Sequence, residues 1–284
     1  MVQINSIKDL DYEKIDVDEE WNDCVGNELT MHTIHAYPAK FPAFIAWKAF
    51  DYAEKEGVQI EKVSDIFCGC GTVALEAKIR GYSFWGCDIN PVATLIARTK
   101  SNSYDRDKIL YFYDKIIDNV KKCELPFDLY KNANSRLKYW YYEISYCNLY
   151  KLRQAIIIEV PDGKYREAFE CIFSSILKAC SKWLTKSIKP QVDPDKKEID
   201  VMLQFDRQIN KFIRALDEME NNETQMVINC KNFLSEEKLP KTDLIITSPP
   251  YVTSYEYADL HQLSSLWLGY TDDYWNLRKG CLGS

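Results

Sequence analysis

No stretch of this sequence stays apolar for the roughly 20 residues that a bilayer-crossing helix requires, so a helical membrane protein is not expected. The segment Met1 to Glu20 is polar and acidic rather than basic and then apolar, so a signal peptide is not expected either. Glycine and proline are scarce, ten of each in 284 residues, and there are no internal repeats or low-complexity tracts. That excludes repeat architectures and leaves the composition of a globular protein. An excess of positive charge is also missing. Acidic side chains number 43 against 36 basic ones, for a net charge of -7. This excludes a protein that coats nucleic acid by bulk electrostatics, but not one with a local basic groove. Basic residues do gather at Lys178, Lys182, Lys186 and Lys189, and at Arg207, Lys211 and Arg214. A solvated helix face is the simpler reading of each cluster. The ten cysteines follow no disulfide framework, so a reducing cytoplasm is the expected setting. His32 and His35 with Cys68, Cys70 and Cys87 match no established zinc spacing, and no metal site is expected.

What is present begins with an irregular arm over the first 30 residues. Residues 42–56 carry apolar side chains at helical spacing and stop before Gly57. Val58 to Phe67 reads as a buried strand, Thr72 to Arg80 as a helix closed by Gly81, and Ser83 to Cys87 as a strand that ends at Asp88. A further helix is predicted from Asn90-Pro91 to about Lys100. Strand, glycine loop, helix, strand and acid in that order open a doubly wound α/β nucleotide-binding fold. Residues 101–222 are then dominated by helical patterns, with good amphipathic spacing over Tyr165 to Trp183 and Lys196 to Met219. The one strand signal there is Ala155 to Val160. Strands return at Met226 to Cys230 and Asp243 to Thr247.

Two constellations carry chemistry. In Asp65-Ile66-Phe67-Cys68-Gly69-Cys70-Gly71-Thr72 the two glycines let the backbone turn sharply and approach a ligand. The helix that follows offers free N–H groups. Asp88, at the end of the next strand, suits the two hydroxyls of a ribose. In Thr247-Ser248-Pro249-Pro250-Tyr251 the prolines force the chain out of its strand. Carbonyl oxygens, the Ser248 hydroxyl and an aromatic ring are then presented together, an arrangement suited to an amino group on a flat heterocycle.

DIFCGCGT and TSPPY together resemble motifs I and IV of the amino-methyltransferases of DNA, and His35-Ala36-Tyr37-Pro38-Ala39-Lys40-Phe41-Pro42 resembles their motif X. The resemblance covers about residues 32–99 and 225–270. One departure is Ile66 where proline is usual. The resemblance implies a Rossmann-like class I methyltransferase with S-adenosyl-L-methionine as cofactor and DNA as partner. It further implies that the cofactor lies against Tyr37, Pro38, Lys40, Phe41, Asp65, Phe67, Gly69, Gly71, Thr72, Asp88, Ile89 and Thr247. Ser248, Pro249, Pro250 and Tyr251 would be catalytic. Ser248 and the Pro249 carbonyl would accept hydrogen bonds from the target amine, while Tyr251 stacks on a base flipped from the duplex. With serine at position 248, the resemblance implies cytosine N4 in preference to adenine N6, and a restriction-modification or phage-defence setting. A carbon-5 mechanism is not expected, because its Pro-Cys nucleophile is absent.

The expected division is an N-terminal arm and cofactor-binding half over 1–100, a helical target-recognition insertion over 101–222, and the catalytic-motif strand with a C-terminal helix and loop over 223–284. A sheet truncated after its fourth strand would expose an edge that proteins normally cover. A second polypeptide, or a homodimer, is therefore expected to complete the domain. Two rivals stay open: a DNA adenine-N6 enzyme, and a non-catalytic chain that keeps the methyltransferase fold for binding. An RNA or protein amide methyltransferase is more distant.

Overall fold

The computed structural model describes residues 28–220, 223–235, 238–249, 257–273 and 275–276. Most of the N-terminal arm, together with Pro250 and Tyr251 of the proposed catalytic motif, lies outside these residues.

A parallel sheet forms the centre, as the alternation of glycine loop, helix and strand predicts. Strands β1 (Lys62–Asp65), β2 (Ser83–Asp88), β3 (Met226–Cys230) and β4 (Leu244–Ile245) lie in the order β3-β2-β1-β4. All neighbouring pairs are parallel, with Val63 opposite both Phe84 and Leu244. The middle of β2 is buried throughout, as a strand covered on both faces should be. From β1 the chain steps to β2 and then β3 on one side, whereas β4 lies on the other. The order therefore reverses between β1 and β4. The carboxyl ends of the strands at such a reversal leave a crevice, the usual ligand site of open α/β sheets.

Helix α1 (Ala43–Lys55) precedes β1, α2 (Thr72–Ile79) joins β1 to β2, and α3 (Pro91–Ser101) follows β2. Phe50 of α1, Val73 and Ala77 of α2, Val63, Phe84 and Ile228 of the strands, and Ala97 of α3 close one core. Nearly every residue of α3 is buried, because its other side meets a second and larger core. That core belongs to the helical region: α4 (Arg106–Lys122), α5 (Ser135–Trp140), α6 (Glu143–Glu159), α7 (Lys164–Leu177) and α8 (Val201–Asp217). Val201, Phe205, Ile209 and Phe212 make the buried stripe of α8, and Asp200 caps it by accepting from the Met202 and Leu203 amides. The chain then returns through β3 and β4 to α9 (Tyr257–Leu260) and α10 (Gln262–Trp267).

The strand expected at Ala155 to Val160 is instead the last turn of α6. Leu149, Leu152 and Ile156 keep a helical stripe facing the core, while Ile157 and Ile158 face solvent. The carbonyls at the helix end, which need partners, are met by Arg166: its Nη2 donates to Ile157 O at 2.5 Å and its Nε to Val160 O at 2.8 Å. The helix expected from Tyr165 to Trp183 ends at Leu177, and the one expected from Lys196 begins at Val201. Between them the chain makes a hairpin, because Trp183 is drawn into the core and stacks on Trp140 with centroids 4.9 Å apart. Strand β1 is shorter than Val58 to Phe67, and β4 shorter than Asp243 to Thr247. Among the described residues no helix is long and apolar enough to cross a membrane.

Candidate active site

The glycine loop runs from the end of β1 into α2. The Cys68 amide donates to Cys87 O at 3.0 Å and the Gly71 amide to Cys68 O at 2.8 Å, which folds the loop back over β2. Gly69 and Gly71 have φ of +48° and +76°, the left-handed region that other residues enter at a cost. Their surroundings differ. The nearest atoms to a Cβ at Gly69 belong to the Tyr37 ring, from 3.7 Å, an ordinary contact, whereas a Cβ at Gly71 would lie 2.6 Å from Ala97 Cβ and 2.7 Å from Ala97 Cα. Gly71 thus sets how closely α2 approaches α3. The next residue, Thr72, has a buried hydroxyl with no hydrogen-bond partner among the described residues.

Two carboxylates end the central strands. Asp88 is held on both oxygens: Oδ2 accepts the Gly69 amide at 3.0 Å and Oδ1 the Asn90 amide at 2.8 Å. Burial raises its pKa, against these amides, which favour the charged form. Asp65 is 5% exposed. Its Oδ1 accepts the Thr247 hydroxyl at 2.6 Å and the Phe67 amide at 3.0 Å. Burial pushes its pKa up to about 7, with the nearby Asp88 adding to the rise. A carboxyl whose pKa is raised by folding binds a proton that the unfolded chain has released. Its contribution to stability is therefore greatest below pH 3.8, the ordinary value, and is lost as pH rises through about 7. Urea denaturation from pH 4 to 8 should show that loss, on the order of 4 kcal/mol at 1.36 kcal/mol per unit. Asp65→Asn should flatten the curve. An equal slope in the variant would mean that Asp65 is ionised in the folded chain throughout.

The bond from Thr247 to Asp65 joins positions 182 residues apart and fixes where the chain leaves β4. Register is set earlier, by Asp243 accepting the Glu61 and Lys62 amides at 3.0 and 2.9 Å. Ser248, half-buried, and Pro249, exposed, follow Thr247 at the carboxyl end of β4. The segment from His35 to Pro42 crosses nearby. Tyr37 faces Gly69 and lies 5.1 Å, centroid to centroid, from the ring of His261. His35 is tied to the helical region through Ser174 Oγ at 2.8 Å, and burial lowers its pKa to about 4.

The structure thus gathers Tyr37, Gly69, Gly71, Thr72, Asp65, Asp88 and Thr247 around the glycine loop, at the carboxyl ends of β1, β2 and β4. Other expected site residues have different neighbours. Lys40 forms an ion pair with Glu28, and Glu28 also accepts the Ala43 amide. Phe41 packs against the smaller core. Phe67 meets Phe233 edge-on at 5.0 Å. Ile89 is more than a third exposed and its carbonyl accepts from the Cys230 thiol. Pro38 precedes Ala39, which has φ +50°.

The residues expected to hold the cofactor or act in catalysis include neither Asn90 nor His261, although the closeness of His261 to Thr247-Ser248-Pro249-Pro250-Tyr251 in the sequence predicts a place near the pocket. Asn90 caps α3, its Oδ1 accepting the Val92 and Ala93 amides, and its Nδ2 donates to His261 Nδ1 at 2.8 Å. That bond puts the hydrogen of the neutral imidazole on Nε2. Nε2 is buried and has no partner among the described residues, and burial lowers the pKa of His261 to about 3. The Asn-Pro pair was legible as a helix start, but nothing local joined it to a histidine 171 residues away.

No family model matches the sequence, and no solved structure matches the chain. Among curated proteins, the chain is similar to the type II methyltransferase M.MvaI of Kocuria varians, 25% identical over 267 residues, an alignment that takes in 85% of this chain and 58% of that protein's length.

Proposed function

We propose that this chain is the cofactor-binding and catalytic part of an S-adenosyl-L-methionine-dependent DNA methyltransferase that modifies an exocyclic amino group, cytosine N4 in preference to adenine N6. The observation that carries the reading is the Thr247–Asp65 bond. It brings the end of β4, with Ser248 and Pro249, beside the glycine loop and the Asp65–Asp88 pair. The similarity to M.MvaI supports the same reading.

The residues fit the cofactor. Asp88 is oriented by backbone amides and has lone pairs to spare for two ribose hydroxyls. The Thr72 hydroxyl and His261 Nε2–H are buried polar groups awaiting partners. The Tyr37 ring lies against Gly69, so the loop backbone and an aromatic face are presented together. The carboxylates suit a ligand bearing a sulfonium and an ammonium. When bound, the cofactor supplies an electrophilic methyl group. The chain's own part is to hold the target. Ser248 Oγ and the Pro249 carbonyl accept the two amine hydrogens, which localises the nitrogen lone pair, and Tyr251 stacks on the base. Positioning and electrostatics then supply the rate, without a covalent bond to the base.

Strand β4 is paired on one side only among the described residues, and Ile245 is 60% exposed. This supports a further polypeptide or a second copy covering that edge, and the similarity to a type II methyltransferase supports a restriction-modification setting. The test is transfer of labelled methyl groups to DNA, with the modified nucleoside identified and with candidate partners added. N4-methylcytosine is expected. Ser248→Ala should lower transfer on the order of 100-fold or more while leaving cofactor affinity intact. N6-methyladenine would reassign the base, and full activity in the variant would remove Ser248 from the chemistry.

A further inference from the structure

The hairpin that replaces the end of the expected helix has features the catalytic reading does not use. Leu184 N donates to Gln191 O and Asp193 N to Lys182 O, both at 2.8 Å, around an antiparallel bridge between Trp183 and Val192. The tip is built rather than loose. Lys178 Nζ donates to Ser187 O at 2.8 Å, the Trp183 indole N–H reaches the same carbonyl at 3.3 Å, and Ser187 Oγ donates to Lys189 O at 2.8 Å. Pro190 stiffens the return.

This framework presents Lys186, Ile188 and Lys189 to solvent, with Ile188 52% exposed. Neither lysine makes an ion pair among the described residues. The hairpin's one acidic residue, Asp193, stands at its base rather than at its tip. Beside the hairpin base, Lys182 lies over the rings of Tyr139 and Tyr142, and Arg136 over Tyr139 and Trp140. A cationic, aromatic surface with an exposed isoleucine at its projecting point is unusual on a chain of net charge -7.

The base of the hairpin also connects to the candidate active site. Trp183 stacks on Trp140, whose indole N–H donates to Gln262 Oε1 at 2.9 Å, and Arg136 Nε donates to the same oxygen at 2.6 Å. Gln262 follows His261, which is bonded to Asn90 at the end of β2.

We infer that the 182–193 hairpin is a duplex-DNA contact, with Lys186 and Lys189 on phosphates and Ile188 as an apolar wedge against the bases of a groove. A rigid tip loses little entropy on docking. An apolar side chain flanked by cations is the pattern that enters a groove and displaces base steps. The inference rests on the DNA reading above and assigns the surface that meets the duplex.

The test is fluorescence anisotropy with a labelled duplex across a salt series, alongside calorimetric titration with S-adenosylmethionine. The triple variant Lys186→Ala, Ile188→Ala, Lys189→Ala alters only exposed side chains. It should retain cofactor affinity and lose about tenfold in duplex affinity at physiological salt. Its plot of log affinity against log salt should be shallower by about 1.8, for two phosphate contacts at about 0.9 each. The charge-matched control Lys121→Ala, Lys122→Ala, at the far end of α4, should leave both measurements unchanged. Equal duplex binding by wild type and triple variant would overturn the inference and leave the methyltransferase reading standing. So would equal losses in the triple variant and the control, since the effect would then be bulk charge. Binding of single-stranded RNA in preference to duplex would overturn the assignment of duplex DNA. A folded wild type that binds neither cofactor nor duplex would overturn both readings.

Discussion

Asp88→Ala should reduce S-adenosylmethionine affinity at least 100-fold in calorimetric titration. Hydrogen bonds to a charged group contribute about 1.5–3 kcal/mol each. Two ribose hydroxyls on one carboxylate therefore correspond to at least about two decades in affinity at 1.4 kcal/mol per decade. The carboxylate does a second job, because it satisfies the Gly69 and Asn90 amides. Alanine leaves both amides without their acceptor, at about 1–3 kcal/mol for each that water does not reach, so the variant should also unfold at lower urea. Asp88→Asn separates the two effects. Its amide keeps one acceptor oxygen and most of the shape, so it should recover stability more than affinity. Unchanged cofactor affinity in a folded Asp88→Ala chain would place the ribose elsewhere and remove the main support for the crevice as the cofactor site.

Gly71→Ala should be among the most destabilising single substitutions in the chain, while Gly69→Ala should be much milder. Both positions have positive φ, which costs a β-carbon about 1–2 kcal/mol. Only at Gly71 does the added carbon collide with backbone, 2.7 Å from Ala97 Cα. Either α2 or α3 must then move, and α3 is buried between the two cores. Overpacking of this kind adds about 1–3 kcal/mol, so a total of about 2–5 kcal/mol is expected for Gly71→Ala. Urea unfolding of the pair gives the comparison directly. Equal stabilities would mean that α2 and α3 do not approach each other as closely as described.

Local patterns in the chain were a good guide wherever a local cause suffices. Gly69 and Gly71 announce the tight loop, and Asn90-Pro91 announces the start of α3. Met226 to Cys230 was legible to the residue as β3. The errors fall where a local preference was overridden. Ala155 to Val160 is rich in branched residues suited to a strand, yet the buried stripe of α6 and the Arg166 bonds to its last carbonyls extend the helix through it. Trp183 fits a helical pattern, but stacking against Trp140 pulls the chain out of helix and creates the hairpin.

By itself the sequence determined the parallel α/β sheet, the end of the second strand at Asp88, and the glycine loop that precedes the helix between the first two strands. These follow from short-range periodicity and backbone freedom, which neighbouring residues alone decide. Only the tertiary structure decided that Thr247 meets Asp65, that His261 meets Asn90 beside Tyr37, and that a lysine-tipped hairpin stands on the Trp140–Trp183 stack. Each of these joins segments far apart in the chain. The burial of whole helices fixes their positions, and that burial has no signature in any one stretch of residues.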